Sequence, residues 1–280
     1  MKRKKRVCPV LIWILTACGS GLLLFPFFAD AVTGLCQAVR IAAYERDMGS
    51  QASLEKQREA AAAYNRMIAE EQRAVPFSYR GSEASDEAYE EQLNGPDGQM
   101  CVLEVPSADI RLPVLHGTTE EVLTAGAGHM YGTSLPYGGA DSHCVLTGHT
   151  GLPTALLFTN LRKVKKGDEV LITVLGEVHR YCVSEIIVVL PEDEGAYMQI
   201  CPGEDLVTLY TCTPYGINDH RLMVRCRRVP DDTEEAAGSR SSESRSTLAS
   251  AGKLVLRAAF SACTPLMVFV FGIASERRRK

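Results

Sequence analysis

The sequence lacks an excess of basic charge: 30 Lys and Arg stand against 34 Asp and Glu in 280 residues, a formal net charge of -4. That excludes a strongly basic nucleic-acid-binding protein, and no nucleic-acid partner is expected. There is no internal repeat. With 46% hydrophobic residues, the chain is neither collagen-like nor fully disordered. Its Cys and His spacings match no zinc pattern and no stretch forms a calcium-binding loop, so neither a metal nor a cofactor is expected.

Charge is also absent from particular places. Val7 to Ala29 contains no charged side chain and follows the basic cluster at residues 2–6. A helix of that length spans a ~30 Å hydrocarbon core, with the basic end kept in the cytoplasm. A cleavable signal peptide is the competing reading, because Ala29-Asp30-Ala31 fits an A-x-A site. The apolar stretch is longer than a usual signal core, which favours a retained anchor. A second apolar stretch from Leu254 to Ser275 is broken only by Arg257 and is followed by Arg277-Arg278-Arg279-Lys280. Both ends are then cytoplasmic and the middle lies outside the cell membrane. The ends hold nine of the 30 basic residues and one of the 34 acidic ones. The remaining 21 and 33 leave the middle near -12.

The composition divides the chain into eight stretches. Residues 1–6 are a basic end and 7–29 a membrane helix. Residues 30–74 are helical, with a break near Gly49-Ser50. Residues 75–98 form a turn-rich connection with a short helix around 86–93. Residues 99–230 are a strand-rich domain, 231–252 a flexible linker, 253–275 a second membrane helix and 276–280 a basic tail. Within 99–230, short apolar runs between turn residues predict strands at 100–105, 111–115, 143–147, 169–175, 178–190, 206–211 and 221–229. A short helix is predicted at 154–161. This is mainly β, a compact barrel or sandwich.

The chemistry centres on Cys212. Leu206 to Thr211 reads as a strand, Thr213-Pro214-Tyr215-Gly216 must turn, and the next strand opens at Arg221. An antiparallel hairpin would put Cys212 and Arg221 at the same end of the ladder. A permanent cation beside a thiol favours the nucleophilic thiolate. His149, in a Gly-flanked turn after an apolar strand, is the candidate general acid and base. His116, His129, His143, His179 and His220 read as surface or structural. Leu209 and Tyr210 read as barrel packing. Cys101, Cys144, Cys182, Cys201 and Cys226 accompany Cys212. Outside the cell they invite disulfides, but they serve equally well as small apolar fillers.

Thr208-Leu209-Tyr210-Thr211-Cys212 resembles the TLxTC signature of sortases. Residues Thr211 to Leu222, with His116-Gly117-Thr118, Gly132 to Pro136 and Gly148 to Pro153, resemble the pilus-assembling class C sortases. The resemblance runs from about residue 62 to 229. It implies an eight-stranded sortase β-barrel and a cysteine transpeptidase acting on LPXTG-like sorting signals at a Gram-positive cell wall. Cys212 would be the nucleophile and His149 the general acid and base. Arg221 would stabilise the oxyanion and substrate, with Thr211 assisting. LPXTG-bearing pilins or surface proteins would be the partners, and a pilin lysine the acceptor. Class C sortases carry an Asp-Pro-aromatic lid whose acid pairs with the Arg. Here Pro76 and Phe77 remain, but Val75 stands where the acid would be. Phe77 could still cover the thiol, whereas an ion pair from position 75 to Arg221 could not form. The alternatives are a housekeeping or class B-type sortase that anchors proteins to peptidoglycan, a catalytically dead binding module, and a non-catalytic wall-associated surface protein. The last is disfavoured because no LPXTG-like pentapeptide precedes Leu254.

Overall fold

The computed structural model describes residues 9–46 and 49–230. The second apolar stretch, the linker before it and the basic ends lie outside the described residues. Helix α1 (Pro9–Arg46) runs unbroken through and beyond the apolar segment, past the expected boundary at residue 29. Helix α2 (Gln51–Ala74) starts on Ser50, whose hydroxyl accepts from Ser53 N, so the helical region is interrupted where Gly49-Ser50 suggested. It stops at Val75, which adopts an extended conformation (φ -136°, ψ 114°). Pro76 forces this, because its ring clashes with an α-conformation at the residue before it. Leu54, Ala61, Tyr64, Asn65 and Ile68 recur on one face of α2 and are buried. Asn65 is satisfied on both sides of its amide: it donates to the carbonyls of Leu135 and Gly138 and accepts from Leu135 N at 2.7 Å.

Eight strands follow, with two short helices among them: α3 (Glu87–Glu90) before β1, and α4 (Glu120–Ala125) before β3. The strands are β1 (Gln99–Val105), β2 (Ile110–His116), β3 (Ala127–His129), β4 (Ser142–Thr147), β5 (Glu169–Val174), β6 (Glu177–Val189), β7 (Asp205–Thr213) and β8 (His220–Arg228). They close into a barrel in the order β1-β2-β3-β4-β7-β8-β6-β5. The β2–β3 and β4–β7 pairs are parallel and the others antiparallel. Strand β3 escapes the sequence because it has three residues, two of them Ala and Gly. The helix expected at 154–161 is instead a single 3-10 stretch at Thr159–Lys163.

Alternation along β4, β7 and β8 sends two sets of side chains to opposite faces. Leu146, Val207, Leu209, Val224 and Cys226 fill the barrel. Val145, Tyr210 and Met223 point outward and are buried beneath Phe77, Met130, Val189 and Met198. All eight cysteines within the described residues are free thiols. Cys101, Cys144 and Cys226 are apolar fillers, and burial pushes their thiols well above the ordinary range.

Candidate active site at the end of β7 and β8

Strands β7 and β8 pair antiparallel with Thr208 opposite Arg225, Tyr210 opposite Met223 and Cys212 opposite Arg221. Cys212 and Arg221 are thus direct cross-strand neighbours at the mouth of the hairpin. The outward series Thr208, Tyr210, Cys212 places the thiol on the outer face of the barrel, and it is partly exposed.

His149 reaches the same end by another route. Parallel pairing of β4 with β7 ends at Thr147 opposite Tyr210, and Gly148 N extends it by donating to Tyr210 O at 3.1 Å. His149 therefore leaves β4 at the level where Cys212 leaves β7. Gly148 is required there, because a Cβ would lie 2.7 Å from the Phe158 ring. Phe158 N donates back to His149 O at 3.0 Å and closes the loop. The His149 imidazole faces α4, with Nε2 at 3.2 Å from Glu120 Oε2. No hydrogen bond among the described residues joins Cys212 to His149 or to Arg221.

Thr211, to which the resemblance gives an assisting role, precedes Cys212 on β7. Its buried hydroxyl donates to Gly148 O at 2.6 Å and shares a 3.0 Å hydrogen bond with the Thr150 hydroxyl. Those partners flank His149, so Thr211 straps the histidine loop to the cysteine strand.

Tyr210 is more than barrel packing. Its ring packs in the outer cluster, while its hydroxyl accepts from Arg221 Nε at 2.8 Å and donates to Glu194 Oε2 at 2.6 Å. Glu194 Oε2 is also 3.6 Å from Arg221 Nε. Burial, and then the Glu194 carboxylate, push the Tyr210 phenol far above its usual range, so it stays a donor. Arg221 Nη1 donates to the carbonyls of Asn218 and His220 at 3.1 and 3.2 Å. Burial works against the charge on Arg221. The neighbouring Tyr210, Cys212 and Glu194 outweigh it and hold the guanidinium above its ordinary value. Among the described residues only Nη2 of this guanidinium is without a partner. Glu194 was missed in the sequence because it sits in the 3-10 stretch Pro191–Tyr197, where no motif marks it.

The candidate lid residues separate. Val75 and Pro76 are exposed, and no ion pair leads from them to Arg221. Phe77 is buried in the outer cluster against Tyr210, on the face that also carries Cys212. The Gln199 amide pins its backbone from both sides, accepting from Phe77 N at 2.9 Å and donating to Phe77 O at 3.0 Å. The remaining histidines are held elsewhere. His129 and His143 are fully buried, and burial pushes both down to about 4. His116 lies between the carbonyls of Gln92 and Gly98. His179 contacts Glu177, and His220 contacts Asp219.

A sortase domain model matches residues 103–229, which span the barrel from mid-β1 to just past the end of β8. Sortase A of Streptococcus agalactiae serotype III (strain NEM316) is 32% identical over 114 residues, 40% of this chain and 45% of that protein. The chain thus spans about half the length of that curated relative. Among solved structures, sortase C-1 from Actinomyces oris is 42% identical with a TM-score of 0.57, over 64% of this chain and 98% of that one. Sortase C1 of GBS pilus island 1 is 38% identical with a TM-score of 0.63, over 69% and 92% of the two chains. Sequence signature, closed barrel and near-complete coverage of these structures agree: the chain belongs to the sortase family of cysteine transpeptidases.

Proposed function

We propose that this protein is a membrane-anchored class C sortase that joins pilin subunits. One observation carries the site assignment: Cys212 and Arg221 face each other across one ladder, with the His149 loop strapped to the same strand by Thr211 and Gly148. In this reading the Cys212 thiolate attacks the Thr–Gly carbonyl carbon of an LPXTG-like signal. The resulting oxyanion is stabilised by the Arg221 guanidinium. The imidazolium of His149 protonates the departing Gly amine, leaving a thioester on Cys212. A pilin lysine amine then attacks the thioester and gives a proton to His149. Cys212 departs as the thiolate, and an isopeptide bond remains. Tyr210 and Glu194 are positioning residues, since they occupy Nε of Arg221 and fix the plane in which Nη2 is presented. Phe77 is a cover over the outer face, held by Gln199 rather than by an acid at position 75.

Support for class C comes from the solved structures and from the class C-like stretch Thr213 to Arg221. Two sortase C structures are 42% and 38% identical to this chain and are matched over 98% and 92% of their lengths. Helix α1 is the anchor, long and apolar enough to cross a membrane from Trp13 onward.

The test uses the full chain with an LPXTG peptide and hydroxylamine. Hydroxamate should form, and C212A should form none while keeping the wild-type melting temperature. Equal product from C212A ends the transpeptidase reading. Offering a pilin lysine peptide beside a peptidoglycan stem-peptide amine separates the classes. Preference for the stem-peptide amine would favour the housekeeping reading.

A further inference from the structure

Helix α1 orders its contacts with the barrel along one axis. Its uncharged stretch ends at Ala29, and α1 then continues along the flank of the barrel. Its contacts come in order. Asp30 Oδ1 accepts from Leu156 N at 3.1 Å, and the Thr33 hydroxyl donates to Thr154 O at 3.3 Å. Gln37 Nε2 donates to Ala125 O at 3.1 Å. The Tyr44 hydroxyl donates to Met100 O at 2.9 Å and accepts from Leu175 N at 3.2 Å. At 1.5 Å per residue, Asp30 and Tyr44 are ~21 Å apart along the helix. Along α1, the loop after His149 therefore lies nearest the apolar segment, the low end, and the β5–β6 turn farthest from it, the high end.

That low end has a distinctive surface. Leu156, Tyr215 and Ile217 are 54%, 55% and 68% exposed. The Tyr215 ring lies against Gly151, which joins the two loops into one rim. Arg162 stands 5.9 Å from the Tyr215 ring centroid, and Lys163, Lys165 and Lys166 follow it, all exposed. Apolar and tyrosine side chains flanked by basic ones suit the boundary between acyl chains and phosphate headgroups. The middle of the chain is acidic, so a locally basic rim is the surface an anionic bilayer would attract.

We propose that the site end of the barrel, through Leu156, Tyr215, Ile217, Arg162 and Lys163, rests on the anionic headgroup layer of the leaflet from which α1 emerges. This rests on the reading of α1 as a membrane anchor. The substrate opening then lies at the bilayer surface, with the β5–β6 turn facing away.

The native chain has one tryptophan, Trp13, which makes the test direct. The full chain is reconstituted in phosphatidylglycerol–phosphatidylcholine vesicles containing brominated lipid. Quenching of native Trp13 reports insertion of α1, and its absence would sink the anchor reading itself. In a Trp13→Phe background, Leu156→Trp and Ile217→Trp should be quenched at least about threefold more strongly than Val178→Trp, which lies beside the high turn. Equal quenching at 156 and 178, or none at 156 and 217 while Trp13 is quenched, overturns the proposal and leaves the anchor standing. Replacing phosphatidylglycerol by phosphatidylcholine should weaken quenching at 156, and Arg162→Ser with Lys163→Ser should abolish that dependence. A signal that follows the protein-to-lipid ratio instead of lipid charge would mean a second copy covers the rim, and the proposal falls.

Discussion

The inner and outer faces of β4, β7 and β8 are made by alternate residues of the same strands, yet they are built to different ends. Leu146, Val207, Leu209 and Val224 close an apolar interior with no polar work to do. One residue along in each case, Val145, Thr208, Tyr210 and Met223 make an outer face on which apolar and polar groups share the space. There the guanidinium of Arg221 donates to the phenol of Tyr210, which donates in turn to the carboxylate of Glu194. The difference teaches that a β-strand can separate stability from chemistry by parity alone. Substitution on the inner face should cost fold, and substitution on the outer face should cost rate.

The inner face gives the largest expected effect. Leu209 is fully buried, and Leu209→Ala removes its contacts and leaves a cavity, for a loss of about 2–5 kcal/mol. Thermal unfolding should move down by several degrees, with the remaining folded fraction still active. An unchanged melting temperature would break the division.

The second effect is on pH. His129 and His143 stay neutral in the fold until about pH 4, whereas in the unfolded chain they take a proton near 6.5. Their contribution is therefore fully present above pH 6.5 and is lost as pH falls from 6.5 to 4, by about 3 kcal/mol each. Denaturant melts across that range should show the decline, and His143→Gln should flatten part of it. Stability that is level from pH 7 to 4 would mean the two rings are not held neutral.

The outer face is tested third. Tyr210→Phe keeps the ring in its cluster but removes both hydrogen bonds. It should lower kcat by roughly 10- to 100-fold through a misplaced guanidinium, with KM and melting temperature nearly unchanged. Glu194→Gln keeps an acceptor for the phenol and should lose less, about three- to tenfold. In the Arg221→Lys background both changes should have little further effect, because the group they position is gone. Full additivity would show that Tyr210 and Glu194 act only through packing.

The same parity explains what was legible in the sequence. Seven of the eight strands announced themselves by apolar runs, and the pairing of Cys212 with Arg221 followed from a turn of eight residues between them. Strand β3 did not, since Ala127-Gly128-His129 has no periodicity to read. Glu194 was invisible for a different reason. Its partner Arg221 is 27 residues on, and only closure of β6 against β8 brings the 3-10 stretch beside it. Tyr210 was visible but misread, because an aromatic residue in a strand looks like core whichever face it takes. The resemblance to class C sortases located the absent acid at position 75. It could not say that Arg221 would find a carboxylate from Glu194 instead.

The smallest expected effect falls on His149, where the two faces meet. Glu120 Oε2 is 3.2 Å from the imidazole, but its side chain is 74% exposed at the first turn of α4. An exposed pair of this kind is screened by water and salt and costs side-chain entropy to hold. Glu120→Gln should therefore change kcat by less than about threefold, and the difference should vanish at high ionic strength. A loss of an order of magnitude that persists in high salt would mean that Glu120 orients the imidazole during turnover. The site would then extend from the hairpin onto α4, and the division by strand parity would no longer contain it.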